Sequence, residues 1–222
     1  MRVGGIRAWA VAVLGVCAVF SAAWAQLGTG PRERYERRTR GVDIDDIVKD
    51  LRSEEGEKRL EAVRRLGESG EPGAVQYLVG ALGDPDVRVR AKALDMLAQM
   101  RATEATPVLV QYLFLRTTDR AMKKRILAAL GEIGDVRAAK PIVDFLRRDL
   151  DPESCGTALF ALGEIGAPEA EPVLREFAQT SDDPTLRRLA REALAKVERR
   201  QAAVASEAKE PAETFLQPRV PR

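Results

Sequence analysis

An internal repeat of about 32 residues constrains this chain more than any other feature of its sequence. The same five-residue pattern recurs at Leu66-Gly67-Glu68-Ser69-Gly70, Leu130-Gly131-Glu132-Ile133-Gly134 and Leu162-Gly163-Glu164-Ile165-Gly166, with Leu97-Ala98-Gln99-Met100-Arg101 as a degenerate copy. A second marker recurs in step with it at Ala74, Ala105, Ala139 and Ala170. Two markers that recur together at a fixed period predict a stacked repeat architecture.

Each repeat is typical of a pair of helices. Aspartates, often beside proline, precede the first helix, where a carboxylate can accept hydrogen bonds from the free N–H groups of the first turn. These aspartates are Asp84, Asp86, Asp119, Asp151, Asp182 and Asp183. Apolar residues then recur at helical spacing, as in Ala93, Leu94 and Leu97. The glycines that follow are predicted to end the first helices, because glycine adopts a left-handed backbone without strain.

Half-repeats flank the four full repeats. Residues 44–51 carry the apolar pattern of a second helix, and residues 186–197 carry that of a first helix. Atypical terminal units are expected in a repeat array, because each end lacks one neighbour. We therefore predict a folded domain over residues 42–199. The Ala/Glu/Pro-rich residues 200–222 are predicted to form a disordered tail.

The repeat resembles the HEAT repeats of the bilin-lyase-like subtype. The residues that carry this resemblance are the segment from Ala74 to Arg88 and the segment from Ala161 to Gly166. It implies an all-α fold, a right-handed α-solenoid of stacked helical hairpins, in which the second helices line a concave face and bind a protein partner. Gln76 stands where the subtype has proline, and Arg101 stands where it has glycine.

The composition argues against several functions of HEAT-like proteins. The chain has no His, which removes the commonest general base and the usual neutral metal ligand. It also removes the His-Glu pairs of the iron hydroxylases that are built on HEAT repeats. Basic and acidic side chains nearly balance, at 36 against 34, whereas nucleic-acid binding needs an excess of positive charge. We expect no catalytic residue, cofactor, metal site or nucleic-acid partner.

Two further features, a recurring glutamate and a lone cysteine, each allow a functional interpretation beside a structural one. Glu68, Glu132 and Glu164 recur once per repeat and could form a row of cation ligands, although solvated helix-end acids are the simpler interpretation. Cys155 near a helix start could be a reactive thiol, but a small apolar side chain packed in the core explains it more simply. It is the one cysteine outside the first 25 residues, so those later residues cannot form an intrachain disulfide.

The N-terminus is typical of a secretory signal peptide. Arg2 and Arg7 precede an apolar run from Ala8 to Ala25, which closes with the small-x-small pattern Ala23-Trp24-Ala25. We expect cleavage after residue 25 and a periplasmic or secreted product. Removing these residues takes two arginines and no acid, so 34 basic side chains would face 34 acidic ones.

Two alternatives remain for this segment. An uncleaved apolar run over residues 6–25 is near the minimum length for a membrane anchor, and the basic residues 26–41 that follow it oppose export. The second alternative is lipidation at Cys17, because Leu14-Gly15-Val16-Cys17 resembles a lipobox, although Val16 is large for that pattern. Residues 26–41 are predicted to be a basic linker. Membrane contact is expected only through this linker or an uncleaved N-terminus.

One second helix departs from the pattern of its sister helices. Residues 108–115 are apolar nearly all round, whereas a surface helix normally has one apolar face. We hypothesise that Phe114 and Leu115 form part of a protein-binding patch, with Tyr77 and Val110 as possible neighbours. The alternative is that the connection over residues 115–118 folds these side chains under the next repeat.

Taken with the resemblance, these features predict an exported, non-enzymatic scaffold for protein–protein interaction. The alternatives are a bilin-lyase-like enzyme or ligand carrier, and a membrane-anchored envelope assembly factor.

Overall fold

The computed structural model describes residues 44–148 and 151–207. These residues contain ten α-helices, numbered here in chain order, and three short 3₁₀ helices. The α-helices are α1 (Ile44–Asp50), α2 (Gly56–Ser69), α3 (Ala74–Ala81), α4 (Val87–Gln99), α5 (Thr106–Phe114), α6 (Arg120–Ile133), α7 (Ala139–Leu146), α8 (Pro152–Ile165), α9 (Glu171–Thr180) and α10 (Pro184–Glu207). The 3₁₀ helices are Thr103–Ala105, Val136–Ala138 and Pro168–Ala170.

The helices form two parallel rows. The first helices of the repeats, α2, α4, α6, α8 and α10, each pack on the next one along the chain. The second helices, α1, α3, α5, α7 and α9, each pack against the first helix that follows. The second helices α3, α5 and α7 also contact the 3₁₀ helix of the next repeat. This arrangement confirms the prediction of an all-α solenoid and the flanking half-repeats.

The first helices approach one another closely where small residues face each other. A Cβ atom added to Gly131 of α6 would lie 2.9 Å from the Cα atom of Ala161 in α8. A Cβ atom added to Gly163 would lie 2.9 Å from the Cα atom of Ala193 in α10. Real side chains do not tolerate such distances, so these glycines allow the backbones to touch. The glycine in each five-residue pattern is therefore a contact between repeats.

The glycines predicted to end the first helices do so. Gly70, Gly134 and Gly166 have φ angles of 66°, 74° and 67°, in the left-handed region. In the degenerate repeat Arg101 takes the same conformation with a φ of 49°, the one positive φ of a non-glycine residue within 44–148 and 151–207. Its amide donates to the Ala98 carbonyl at 2.9 Å, and the next amide, of Ala102, donates to that of Leu97 at 3.0 Å. The backbone therefore keeps the helix ending even where the sequence has arginine in place of glycine.

Aspartates cap the first helices α4, α6, α8 and α10 as predicted, whereas α2 begins after Glu55 without a side-chain capping bond. The Asp119 carboxylate accepts a hydrogen bond from the Met122 amide at 2.8 Å, and Asp151 accepts one from the Ser154 amide at 2.9 Å. At the start of α4, Asp86 accepts a hydrogen bond from the Arg88 amide. Ser154 donates from its hydroxyl as well as its amide, and these bonds hold the pKa of Asp151 below its ordinary value.

The last helix is longer than predicted. Helix α10 continues to Glu207, so the boundary predicted at residue 199 lies inside it. Arg200 explains part of this extension, because its guanidinium donates to the carbonyls of Glu164 and Ile165 at the end of α8. Gln201 approaches Glu171 of α9. Residues beyond 199 thus bind the last repeat.

Several predictions concern residues outside the described ranges. The signal peptide, the linker over residues 26–41 and the tail beyond residue 207 all lie there. In the part of the chain that the structure describes, no helix has both the length and the apolar character needed to cross a bilayer.

Candidate functional site

The predicted patch centres on the end of helix α5. Phe114 is the last residue of this helix and is 38% exposed, and Leu115 follows it with 44% of its surface exposed. The helix ends here because Leu115 adopts an extended backbone, with φ −66° and ψ 134°. That turn directs the chain into the connection to α6. Two large apolar side chains are therefore adjacent and accessible at the edge of the second-helix row.

Phe114 is held in place by the next repeat. Its ring meets the Phe145 ring of α7 edge to face, with the ring centroids 6.5 Å apart. The guanidinium carbon of Arg148 lies 5.4 Å from the centre of the Phe114 ring, a cation–π distance. The next repeat thus packs one side of Phe114 and leaves more than a third of its surface open. The observed geometry therefore agrees in part with both predictions for Phe114. The side chain is partly exposed, as in a binding patch, and partly packed against the next repeat.

Tyr77 and Val110 differ from Phe114 in the parts of the structure that they contact. Tyr77 of α3 is half-buried and lines a hollow with Val48 and Leu51, next to α1. Val110 is half-buried and packs on the core. Phe114 instead packs toward α7. The structure therefore brings Phe114 and Leu115 together, and it turns Tyr77 toward the opposite end of the repeat array.

The register used for the sister helices was wrong by one residue in the third full repeat. The amide of Ala138, not that of Ala139, makes the bond three residues back, to Asp135, that Ala74, Ala105 and Ala170 make in their repeats. Ala138 also keeps the spacing of the other repeats, because it lies four residues after Gly134 as Ala170 lies four residues after Gly166. In the corrected register Val110 matches the apolar Val143. Phe114 and Leu115 match Arg147 and Arg148, so their change from polar to apolar remains.

Arginines lie beside the exposed apolar pair. Arg148 lies over the Phe114 ring, Arg147 is the exposed chain neighbour of Arg148, and Arg116 is the exposed chain neighbour of Leu115. Among the carboxylates of residues 44–148 and 151–207, none lies within ion-pair distance of these three arginines. We call Phe114, Leu115, Arg116, Arg147 and Arg148 the Phe114 surface. Sequence reasoning missed its three arginines, although the corrected register aligns two of them with Phe114 and Leu115.

The other candidate residues have ordinary surroundings. Arg64 binds Glu68, with Nη1 2.8 and 3.1 Å from its two carboxylate oxygens, and Lys196 forms an ion pair with Glu164. Within the described ranges, no group of three or more potential metal ligands converges. Cys155 of α8 is 4% exposed, which agrees with its interpretation as a small side chain packed in the core.

Two solved structures resemble this chain. The first is a chain from the complex of CpcE and CpcF of phycocyanin lyase from Nostoc sp. PCC7120, with 23% sequence identity and a TM-score of 0.57. The match covers 74% of this chain and 68% of that one. The second is an engineered protein with 27% identity and a TM-score of 0.47, covering 75% of this chain and 85% of the other. At these identities the first likeness shows a shared fold.

Curated sequences give no significant match. A family model of HEAT repeats matches residues 44–113 and 139–208, which together make up more than half of the chain. These matched segments contain helices α1 to α4 and α7 to α10 and most of α5, and α6 lies between them. The chain is a member of the HEAT-repeat family.

Proposed function

We propose that this protein is an exported, non-enzymatic scaffold that binds a protein partner through the Phe114 surface. The observation that carries the proposal is the exposed pair Phe114 and Leu115, with Arg148 over the Phe114 ring and no carboxylate of the described residues paired with Arg116, Arg147 or Arg148. Exposed apolar clusters rimmed by polar groups mark interaction sites. Arginine and aromatic residues are the side chains most enriched in binding hot spots.

The expected partner segment follows from this chemistry. An apolar side chain would cover Phe114 and Leu115, and nearby carboxylates would pair with the arginines. The Nostoc structure is a complex of CpcE and CpcF, which supports protein binding as a use of this fold. The absence of His from all 222 residues supports a role without acid–base or metal chemistry.

Affinity capture with matched variants tests the proposal. The full chain is used to recover partners from the envelope fraction of its source cells, alongside a Phe114→Asp variant and a Val136→Asp control. Val136 is 62% exposed in a different part of the repeat, so its substitution adds the same charge elsewhere. We expect the partner to be lost, by tenfold or more, only with Phe114→Asp. Equal recovery with all three proteins would contradict the proposal.

Export is tested by the mass of the native protein. If the signal peptide is removed, the mass begins at Gln26, as the Ala23-Trp24-Ala25 pattern predicts. A full-length, membrane-bound species would instead favour the membrane-anchored assembly factor. A mass that begins at a lipid-modified Cys17 would favour the lipoprotein alternative.

A second candidate function is a bilin-lyase-like enzyme or ligand carrier. The likeness to a chain from a phycocyanin lyase complex favours it. A visible absorption band in the purified protein, or a spectral shift on adding a bilin, would support this candidate. An unchanged bilin spectrum at saturating protein would exclude it.

A further inference from the structure

Three arginines make the same contact in different repeats. Arg59, Arg90 and Arg187 each lie four residues after the capping residue of a first helix. In each case Nη1 donates to the two backbone carbonyls just before the cap. The distances are 2.9 and 3.0 Å for Arg59, 2.7 and 3.0 Å for Arg90, and 2.6 and 3.1 Å for Arg187. These bonds anchor each guanidinium group at the start of its own first helix.

Arg59 also forms an ion pair with the next connecting loop. Its Nε lies 2.8 Å from Oδ2 of Asp84 and its Nη2 lies 3.0 Å from Oδ1, a two-point contact. The two side chains are only 13% and 9% exposed. Asp84 lies two residues before the capping Asp86. A carboxylate two residues before the cap of one first helix therefore pairs with the arginine of the preceding first helix.

Arg90 lacks that carboxylate. The residue two positions before the next cap, Asp119, is Thr117. The bonds of Arg90 to protein atoms in the described residues are those to the carbonyls of Asp84 and Pro85, both from Nη1. Within the described residues, no carboxylate lies within ion-pair distance of this half-buried side chain. A half-buried positive charge without a counter-ion is unfavourable, and a bound anion would relieve it.

A cavity of about 280 Å³ opens beside Arg90. The connection that closes it, from Leu113 to Asp119, is two residues longer than the one from Leu82 to Asp86. The polar lining comes from Arg90, Tyr112, Thr117, Thr118 and Asp119. The apolar walls are Leu82, Leu109, Met122 and Ile126. The unpaired guanidinium thus faces a space that has room for a small ligand.

We propose that this cavity binds a carboxylate carried on a small apolar group. The carboxylate would take the place that Asp84 occupies beside Arg59, and the hydroxyl groups of Tyr112 and Thr117 would donate to it. The apolar group would pack on the aliphatic walls. Asp119 also lines the cavity, and its negative charge favours a ligand with one charge over a dianion such as phosphate. This proposal does not depend on the Phe114 surface.

Small acids and their neutral counterparts test the chemistry. The purified full chain is titrated with 4-methylpentanoate or with 4-methylpentanamide, while the NMR signal of the Arg90 Nε–H group is followed. We expect saturable binding of the acid, at least about tenfold tighter than that of the amide, because the charge-assisted bonds are lost. Equal affinities of acid and amide would overturn the proposal.

A substitution that supplies the missing carboxylate gives the sharper test. Thr117→Asp should pair with Arg90, raise the urea midpoint of unfolding and weaken acid binding at least about tenfold. Ser181→Asp is the matched control, because it adds the same charge at the equivalent loop position, where Cys155 stands in place of Arg90. This control should bind the acid as the wild type does. Undiminished binding by Thr117→Asp would contradict the proposal.

The carboxylate can come from a free organic acid or from a protein. A short peptide ending in Leu with a free carboxyl group, compared with its amide, represents the protein source. Tighter binding of the peptide acid than of 4-methylpentanoate would identify a protein carboxylate, and the reverse order would identify a small organic acid. If neither acid outcompetes its amide, the site is not a carboxylate site.

Discussion

The two rows of helices hold the repeats together in different ways. In the first-helix row the backbones of α6, α8 and α10 touch, because Gly131 and Gly163 face Ala161 and Ala193. In the second-helix row, Gly80 of α3 has open space where a side chain would be. Contacts there run through side chains and through the short 3₁₀ helices. One row is therefore a close-packed spine, and the other leaves its outer surface open to variation and binding.

The largest expected effect comes from adding a side chain to the spine. Gly131→Val should lower the free energy of unfolding by about 3 kcal/mol, the upper end for overpacking a filled interface. Gly80→Val should leave it nearly unchanged, because nothing lies within 4 Å of a Cβ atom at that position. Urea unfolding followed by circular dichroism measures both. Equal losses in the two variants would show that the rows do not differ.

A smaller effect is expected from the ion pair between the first two repeats. Asp84→Asn should cost about 2 kcal/mol at neutral pH, as for other hydrogen bonds to charged groups. Arg59 holds the pKa of Asp84 below its ordinary value through the side-chain hydrogen bond. The stabilisation by the Arg59–Asp84 pair is therefore fully present above the ordinary aspartate pKa, of about 3.9, and is lost as the pH falls through the lowered pKa of Asp84.

The variant separates this contribution from other acid effects. Unfolding midpoints measured from pH 6 to pH 2 should fall less steeply for Asp84→Asn than for the wild type. Parallel curves would mean that the Arg59–Asp84 pair does not contribute to the acid sensitivity of the fold.

Restoring glycine to the degenerate repeat should stabilise the spine. Arg101→Gly should raise the free energy of unfolding by about 1 kcal/mol, because glycine adopts a positive φ without the steric cost that Arg101 bears. Arg101→Ala serves as the control, since alanine keeps that cost. A gain in thermal midpoint that is equal for glycine and alanine would instead assign the effect to loss of the arginine side chain.

The smallest effect concerns the open row. Gly80→Ala should raise the free energy of unfolding by about 0.5 kcal/mol, because alanine restricts the unfolded chain and favours the helix at no steric cost. Thermal unfolding at two or more scan rates measures it. A loss of stability would mean that α3 packs more tightly than its open surroundings indicate.

Much of the fold could be predicted because each repeat carries its own local signals. Gly134 and Asp119 mark helix ends by backbone chemistry that needs no tertiary information. The short 3₁₀ helices could not be predicted from apolar spacing, whereas the marker at Ala138 could have been, since it keeps the four-residue distance from Gly134 that the other repeats show. Contacts between repeats, such as Gly131 on Ala161, depend on three-dimensional stacking that a single repeat does not encode.

The candidate sites were less accessible to sequence reasoning. Phe114 was identified because it departs from its sister helices, and Tyr77, one of the two residues predicted as its possible neighbours, lines a hollow next to α1. The arginines of the Phe114 surface come partly from the next repeat. The cavity at Arg90 depends on a missing partner. Comparing Asp84 with Thr117 could have revealed it, had the loops been aligned by their capping residues.

The stacking of each repeat on its chain neighbours has a consequence for how the protein forms. The main contacts in the described residues join helices that are close in sequence, so little chain entropy is lost before the first contacts are made. Helices α1 to α4 can therefore assemble while later repeats are still being synthesised. The repeats can therefore fold in the order of their synthesis, before the C-terminal helices are complete.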